Sequence, residues 1–478
     1  KFAKAEQIVR GMEGGAELRN LMWMTRAPFL DDFPAALHCL MFLPNLKVLC
    51  TDEQLAFWQP KADNFTVIGC YAQTELGHGS NVQGLETTAT FLPDSDEFEI
   101  HTPTLSAIKF WPGSLACTSN TAMVFARLLL HGRDHGVHNF IVPIRDLETH
   151  ELLPGVMTGD IGPKIGYNNM DNGWCRFDRV RIPRTNMPMR FATVDRAGTY
   201  AKSGGVHDKV GYVTMMEVRA LMIADCRGCL AKACTIAVRY SVVRRQGGGR
   251  PPKQETKILD YQTQQSRLLP LVATCYAFHF TGLRMLALLE RLRGDVPKGE
   301  TAGLGPAHAT LSGLKAWCTT VCADGIEECR RCCGGHGYLL SSGLPELLGY
   351  AAHYITAEGD SYVLAQQASR YLLKALALAR TDDTSLLVGD CAYLAHTPTL
   401  SKAQCAATDE AGMLSLDVCV TMHRHRAAFL LGRLGASLEA LMEKGTGMAQ
   451  AWNSVQSEQH AAALAHALAT LVSDLADA

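Results

Sequence analysis

A short acidic turn, Thr356-Ala357-Glu358-Gly359-Asp360-Ser361, precedes a long apolar stretch that is typical of a helix continuing to Arg380. A carboxylate at a helix start lies near the positive end of the helix dipole, where first-turn N–H groups are available to a negatively charged oxygen. Such a turn can supply both a general base and an oxyanion donor. Asp360 or Ser361 is equally an ordinary N-cap, so the turn alone leaves a purely structural role open.

The composition indicates a globular protein that acts on small molecules or other proteins. Of 478 residues, 47% are hydrophobic and 19% are charged, and the formal net charge is -2. We therefore expect no nucleic-acid partner. The 17 cysteines are scattered through apolar stretches, which favours buried thiols in a reducing compartment. We see no uninterrupted apolar run as long as a membrane span, so we expect no membrane insertion.

Four segments differ in their hydrophobic pattern and predict a multidomain α+β fold. Residues 1–64 are typical of a helical domain, with Met22, Met24 and Phe29 on apolar faces. Residues 65–200 alternate apolar and polar side chains over 87–91, 98–101 and 176–182, which predicts a central antiparallel β-barrel. Residues 201–385 predict a four-helix bundle, with helices over about 212–246, 259–292, 307–332 and from near 359. Residues 386–478 predict a second C-terminal helical domain.

Several shorter patterns are weak when each is taken alone. Cys226 and Cys229, like Cys329 and Cys332, have the spacing of zinc ligands, but each pair falls within a predicted helix without neighbouring histidines. We therefore predict no metal site. The glycine-rich segments 77–79 and 334–337 lack the strand-then-helix context of nucleotide-binding loops, so a turn and a helix cap explain them equally well.

Taken together and in this order, nine segments closely resemble the acyl-CoA oxidase family. They are YAQTELGHGS at 71–80, GLETTAT at 84–90, KFWPG at 109–113, GDIGPK at 159–164, MDNG at 170–173, RRQ at 244–246, DYQTQQ at 260–265, CGGHGY at 333–338 and EGD at 358–360. The resemblance covers nearly the whole chain and is looser over 381–478. Family members usually carry further helical sequence at both ends, so we expect the first and last domains to be partial.

The resemblance implies a reaction and a base. Glu358 would remove the α-proton of an acyl-CoA, the β-hydrogen would pass as hydride to FAD, and the product would be a trans-2-enoyl-CoA of fatty-acid β-oxidation. Oxygen would reoxidise the flavin to give hydrogen peroxide. The α-proton of a thioester is weakly acidic, so its carbonyl oxygen needs hydrogen-bond donors. N–H groups near Glu358 would supply one donor, and a flavin ribityl hydroxyl the other.

The resemblance also implies binding residues. Thr74, Trp111 and Gly113 would meet the flavin. Arg244 and Gln246 match a segment that presents an arginine to FAD across a subunit boundary, which implies a homodimer. The adenosine end of FAD would meet Gln262, Gln265, Gly334, Gly335 and Gly337. The acyl-CoA would meet Ser80, Tyr167, Asp171 and Gly359. Ser361 stands where relatives commonly have asparagine, which leaves one local hydrogen bond open.

The resemblance further implies a peroxisomal location. Two alternatives remain open. An acyl-CoA dehydrogenase would perform the same first step but pass its electrons to an electron-transfer flavoprotein. An inactive relative would serve as a helical scaffold. Two segments have the sequence typical of oxidases and favour the oxidase: Trp111-Pro112-Gly113 and Cys333-Gly334-Gly335-His336.

Overall fold

The computed structural model describes residues 34–202, 207–248, 254–295, 300–379, 381, 387–400 and 402–478. Met22, Met24 and Phe29 therefore lie outside the described residues. The chain forms two compact units, Lys1–Thr214 and Met215–Ala478. The finer division into four domains stays a prediction.

The described part of the first unit begins with helices. A π-helical turn, His38–Phe42, continues into α1, Leu43–Leu49, and α2 follows at Asp52–Asp63. Thr51 caps α2 in a capping box, because its side chain accepts from the Gln54 N–H and the Gln54 side chain accepts from the Thr51 N–H. His38 joins these helices to the first strand: its Nδ1 accepts from the Gly69 N–H at 2.9 Å and its Nε2 lies 3.0 Å from the Ala62 carbonyl oxygen.

The rest of the first unit is a two-sheet β-domain. Its strands are β1 Gly69–Ala72, β2 Thr88–Leu92, β3 Glu97–His101, β4 Lys109–Phe110, β5 Thr121–Leu130, β6 Arg133–Pro143, β7 Val156–Asp160, β8 Gly173–Phe177, β9 Val180–Pro183, β10 Ala192–Val194 and β11 Tyr200–Lys202. The larger sheet has the order β1-β5-β2-β3-β9, with β6 paired to β5, and a second sheet has the order β4-β8-β7. Strands β10 and β11 form a separate pair.

Two details of the predicted β-domain are corrected. Strands β1 and β2 both pair with β5 in parallel, so the larger sheet is mixed and not wholly antiparallel. The predicted strand over 176–182 is two strands, because the chain turns at Asp178 and Arg179, where Arg179 has φ +52°. Apolar side chains from both sheets form one core that includes Phe98, Phe140 and Phe177.

The second unit is helical. Its main helices are α3 His207–Val243, which begins in the first unit, α4 Gln262–Asp295, α5 Leu304–Cys332, α6 Leu344–Ala352, α7 Ser361–Leu378, α8 Thr397–Leu400, α9 Glu410–Met413, α10 Leu416–Glu443, α11 Met448–Ser454 and α12 Gln456–Ala476. The four long helices of the predicted bundle are α3, α4, α5 and α7. Helix α12 packs on this bundle, since Ser369 Oγ of α7 donates to the Gln459 carbonyl oxygen at 2.6 Å.

Helix α4 is more apolar over its length than the sequence patterns led us to expect. Among the described residues it is the one helix long and apolar enough to cross a membrane by length and composition, a criterion that core helices of soluble proteins also meet. It carries charged side chains in ion pairs within the bundle. Arg284 lies 3.0 Å from Asp390 and 2.5 Å from Asp474.

Candidate functional site

The acidic turn lies just before helix α7. Ser361 is the first helical residue and Asp360 is the N-cap, so Glu358 stands two residues before the cap. Asp360 Oδ1 accepts from the N–H groups of Tyr362 at 2.9 Å and Val363 at 3.4 Å. These first-turn N–H groups are therefore bonded within the chain. We expected the first-turn N–H groups to be available to a ligand, and this expectation is wrong for Tyr362 and Val363.

The backbone at Glu358 is unusual. Glu358 has φ +55° and Gly359 has φ +107°. A side chain at Gly359 would bring its Cβ within 2.9 Å of Leu364 Cδ2, so the position requires glycine. A non-glycine residue held in the left-handed region persists only where surrounding contacts enforce it, and such residues cluster at functional sites.

Two buried cations lie around the Glu358 turn. Arg219 Nε donates to the Glu358 carbonyl oxygen at 3.4 Å, and Lys315 Nζ donates to the carbonyl oxygens of Ile355 at 3.1 Å and Gly359 at 2.5 Å. Ser361 Oγ also donates to Ile355 O, at 3.0 Å, so serine makes a local hydrogen bond at this position. Burial raises the pKa of Glu358, and the charges of Arg219 and Lys315 oppose that rise without cancelling it.

The cations belong to a buried polar face that sequence reasoning missed. His308, Ser312, Lys315 and Thr319 follow one another at helical spacing on α5. Arg219 Nη1 lies 3.1 Å from Ser312 Oγ and 3.2 Å from His308 Nε2. Burial and the charge of Arg219 lower the pKa of His308 to about 4. The detectable signal was a polar stripe on an otherwise apolar helix.

The predicted flavin residues of the first unit are joined through the end of β4. The Phe110 N–H donates to the Thr74 carbonyl oxygen at 3.0 Å, and Trp111 follows directly. Trp111 has φ +85°, and 54% of its surface is exposed. Asn172 Nδ2 donates to its carbonyl oxygen at 2.6 Å. An exposed indole at the end of a strand can cover another aromatic ring, so these residues fit a flavin.

Gly113 is packed so tightly that no side chain fits there. A Cβ at this position would lie 2.5 Å from Leu37 Cδ1 and 2.8 Å from Met170 Sδ. The glycine therefore has a packing role in the first unit. Its proposed approach to the flavin stays a prediction.

A buried ion pair joins Glu75, which directly follows Thr74, to Lys109, which lies two residues before Trp111. Lys109 Nζ lies 3.0 Å from Glu75 Oε1 and donates to the carbonyl oxygens of Gln73 and Phe125. Both side chains are fully buried. Burial lowers the pKa of Lys109 to about 8. Burial opposes ionisation of Glu75 too, but Lys109 and hydrogen bonds from Thr87 outweigh it and lower the pKa of Glu75.

The residues predicted to meet the acyl-CoA have different surroundings. Ser80 is exposed. Tyr167 has φ +61° and packs beside Met170. Asp171 accepts from the N–H groups of Cys117 and Thr118, each at 2.8 Å, and from Thr118 Oγ1 at 3.0 Å. Its carboxylate therefore organises a turn of the chain, and its contact with substrate stays a prediction.

The residues predicted to meet the pyrophosphate and the adenosine end of FAD lie at one end of the helical unit. Arg244 Nη2 donates to Gln246 Oε1 at 3.1 Å, Gln265 Nε2 donates to the Leu259 carbonyl oxygen at 3.0 Å, and Gln262 is exposed. Gly334 and Gly335 are exposed on the 3-10 turn Gly334–Tyr338. At Gly337 a Cβ would lie 2.0 Å from the Arg330 carbonyl oxygen.

Gln264, which the sequence did not single out, joins three helices at this end. Its buried Nε2 donates to Ser241 Oγ at 3.0 Å and to the Cys332 carbonyl oxygen at 2.9 Å. On the neighbouring turn, Tyr240 Oη lies 3.2 Å from His336 Nδ1. The ends of α3 and α5 and the start of α4 are thereby held together around the predicted adenosine-end residues.

The cysteines are free thiols, and most are buried, including Cys226, Cys229, Cys329 and Cys332. Burial raises the pKa of the Cys332 thiol to about 11. Within the described ranges, no group of three or more His, Cys, Asp or Glu side chains is placed to hold a metal ion.

A β-domain followed by a helical bundle, with a partly buried carboxylate on a strained turn, defines a multidomain α+β protein with a candidate acid–base site. Two family models match the sequence: "Acyl-CoA oxidase, C-alpha1 domain" over residues 212–373 and "Acyl-coenzyme A oxidase N-terminal" over residues 1–68.

Similar proteins extend the match to nearly the whole chain. Peroxisomal acyl-coenzyme A oxidase 1 of Arabidopsis thaliana is 44% identical over 91% of this chain and 65% of its own length. The Mus musculus protein of that name is 39% identical over 99% of this chain and 72% of its own length. The chain thus spans about two-thirds of the length of these relatives.

Solved structures agree. Arabidopsis thaliana acyl-CoA oxidase 1 has a TM-score of 0.89 at 43% identity, covering 93% of this chain and 67% of its own. Acyl-CoA oxidase-2 of Caenorhabditis elegans, bound with FAD, ascaroside-CoA and ATP, has a TM-score of 0.91 at 37% identity, covering 99% of this chain and 70% of its own. The chain belongs to the acyl-CoA oxidase family.

Proposed function

We propose that this chain is an FAD-dependent acyl-CoA oxidase of peroxisomal fatty-acid β-oxidation, with Glu358 as its base. The observation that carries the proposal is the Glu358 turn. The backbone of Glu358 is left-handed, and Arg219 and Lys315 donate to the carbonyl oxygens of Glu358 and Gly359, in a chain of the acyl-CoA oxidase family. Ordinary helix capping does not require this arrangement, because Asp360 already caps α7.

Glu358 would remove the proton from the α-carbon of the acyl thioester. Burial raises the pKa of this carboxyl, which makes the carboxylate a stronger base when it is ionised. Negative charge then develops on the thioester carbonyl oxygen, and backbone N–H groups near Gly359 would donate to it. FAD, when bound, would supply the hydride acceptor for the β-hydrogen and the route by which the two electrons and the hydrogen reach oxygen, which with one proton gives hydrogen peroxide.

We propose that Thr74, Trp111 and Gly113 hold the flavin and that the acyl-CoA meets Ser80, Tyr167, Asp171 and Gly359. Arg244, Gln246, Gln262, Gln265, Gly334, Gly335 and Gly337 would hold the pyrophosphate and adenosine. The exposed indole of Trp111 and the cluster around Gln264 support these assignments.

The spacing along α3 supports a homodimer with shared sites. Arg219 contacts the Glu358 turn, and Val243 directly precedes Arg244. These two residues of α3 are roughly 24 residues apart, which corresponds to about 36 Å along the helix. That distance is longer than one extended dinucleotide. The adenosine-end residues of one chain would therefore serve the flavin that faces Glu358 of a second chain.

We propose that α4 is a bundle helix and not a membrane span. Leu268, Phe278 and Met285 on this helix are buried within the bundle, and Arg284 forms ion pairs with Asp390 and Asp474. A helix that faces lipid does not keep such charged groups without strong compensation.

Oxygen uptake tests the proposed activity. The purified chain, loaded with FAD, is mixed with acyl-CoAs of increasing chain length, and hydrogen peroxide is measured without any added electron acceptor. We expect peroxide and enoyl-CoA in equal amounts. Turnover only with an electron-transfer flavoprotein would indicate a dehydrogenase. A colourless protein that cannot be loaded with FAD would indicate a scaffold, and either result would overturn the oxidase proposal.

A further inference from the structure

Lys315 is a fully buried lysine in the middle of α5, a location where a charged group needs a specific reason to remain. Its Nζ donates to Gly359 O at 2.5 Å and to Ile355 O at 3.1 Å, so its two acceptors flank Glu358 in the sequence. A single ammonium group thus joins both ends of the turn that carries the carboxylate. Burial and the charge of Arg219 lower the pKa of Lys315 to about 8.

We propose, on the basis of the function given above, that Lys315 is a positioning residue for Glu358, holding its turn by two hydrogen bonds and keeping a positive charge near its carboxylate. These hydrogen bonds are needed because the backbone of Glu358 is held in the unfavourable left-handed region. Without Lys315, the partly buried carbonyl oxygen of Gly359 would lose this donor and that of Ile355 would keep only Ser361 Oγ, so less would oppose relaxation of the turn.

Arg219 cannot replace Lys315 in this role. Arg219 donates to the Glu358 carbonyl oxygen itself, at 3.4 Å, and its Nη1 is committed to Ser312 and His308. The two cations therefore bond to different carbonyl groups of one turn. Because their charges repel each other, keeping both cations at one turn has an electrostatic cost.

The electrostatics of the turn involve several elements. The titratable and charged groups around it are Arg219, Asp225 and Cys226 from α3, His308 and Lys315 from α5, Tyr354 before the turn, Asp360 at the start of α7 and His460 from α12. Of these, only Arg219 and Lys315 act directly on the pKa of Glu358 among the described residues, and both lower it. Removing the Lys315 charge should therefore raise the pKa of Glu358.

Titration of the carboxyl group by infrared spectroscopy tests this without substrate or flavin. The band of protonated Glu358 is assigned by its loss in Glu358→Gln and is followed with pH in Lys315→Met, Lys315→Gln and Lys315→Arg. We expect the pKa of Glu358 to rise by about one unit or more in the two neutral variants and to stay in place in Lys315→Arg. The control is Lys374→Met, an exposed position on α7, which should change nothing.

Turnover provides the second readout. In the FAD-loaded chain we expect the pH profile of peroxide formation in Lys315→Gln to move upward by the same amount as the carboxyl titration. Activity should fall by up to about tenfold on the acidic side and recover as the pH rises, since ionised Glu358 is the active form. Lys315→Gln keeps a hydrogen-bond donor, so it decides the question where Lys315→Met fails to fold. An unchanged carboxyl titration in the folded neutral variants would overturn the inference. A wild-type chain without oxidase activity would overturn the proposed function and leave the infrared result standing.

Discussion

Glu358 shows how one residue combines conformational strain with burial. Glu358 lies before the helix that follows. Arg219 donates to the Glu358 carbonyl oxygen, and Lys315 donates to the carbonyl oxygens of Ile355 and Gly359. Glutamate and glycine at 358 and 359 were identified as a candidate site from the sequence. Arg219 and Lys315 were not, because they lie far from Glu358 in the sequence and only the folded bundle brings them to the turn.

Replacement of Gly359 by alanine tests the strain at this turn. We expect Gly359→Ala to lose about 1–3 kcal/mol of stability and to lower peroxide formation, because φ +107° is unfavourable for alanine and its Cβ would lie 2.9 Å from Leu364. Denaturant unfolding and turnover measure the two effects. The control is Gly432→Ala, a helical glycine with open space around it, which should be neutral or stabilising. Equal behaviour of the two variants would contradict the account.

At the scale of elements, the sequence predicted most helices and several strands but missed the strand that organises the larger sheet. β5 reads TAMVFARLLL, in which nearly every residue is apolar, so its sequence lacks the apolar–polar alternation that marks a half-exposed strand. The parallel pairings of β1 and β2 with β5 could not be read from local patterns, because they depend on which distant segments meet. The break at Asp178 and Arg179 was hidden within a continuous alternating run.

The buried ion pair between Glu75 and Lys109 should stabilise the strand ends that carry Thr74 and Trp111. We expect Glu75→Gln to cost about 3 kcal/mol, because it leaves a buried ammonium group without its counter-charge. Since the pKa of Glu75 is lowered in the folded chain, the wild-type contribution is present at neutral pH and is lost as the pH falls below the ordinary carboxyl range. Denaturant unfolding, followed by tryptophan fluorescence at neutral pH and again below the ordinary carboxyl range, measures this loss of stability.

The matched control for this pair is Asp134→Asn. Asp134 pairs with Arg127 at the surface of the same β-domain, so its loss should cost less than about 1 kcal/mol. A smaller effect of Glu75→Gln than of Asp134→Asn would show that the buried pair is not what secures these strand ends.

At the scale of the whole molecule, the long helices separate the Glu358 turn from the predicted adenosine-end residues, which led us to propose sites shared between two chains. Family resemblance implied a dimer from the sequence. The sequence also predicted one helix over about 212–246. It did not show that Arg219 on this helix contacts the Glu358 turn, so the separation of that turn from Arg244 became visible only in the fold.

Mixing two inactive variants tests this arrangement. Glu358→Gln and Arg244→Glu chains, unfolded and refolded together, should form hybrids in which one site has both its base and its arginine. We expect about a quarter of wild-type sites to recover, whereas each variant refolded alone should stay inactive. Absence of recovery, with hybrids present by native mass spectrometry, would indicate that each chain builds its own complete site.

The central claim is that Glu358 is the base, and Glu358→Gln tests it most directly. The substitution keeps the size of the side chain but removes its ability to accept the α-proton. In stopped-flow mixing of the FAD-loaded variant with acyl-CoA, we expect bleaching of the flavin absorbance to slow by at least about a hundredfold, with flavin content and melting temperature unchanged. Bleaching at close to the wild-type rate would contradict the account and assign proton abstraction to another residue.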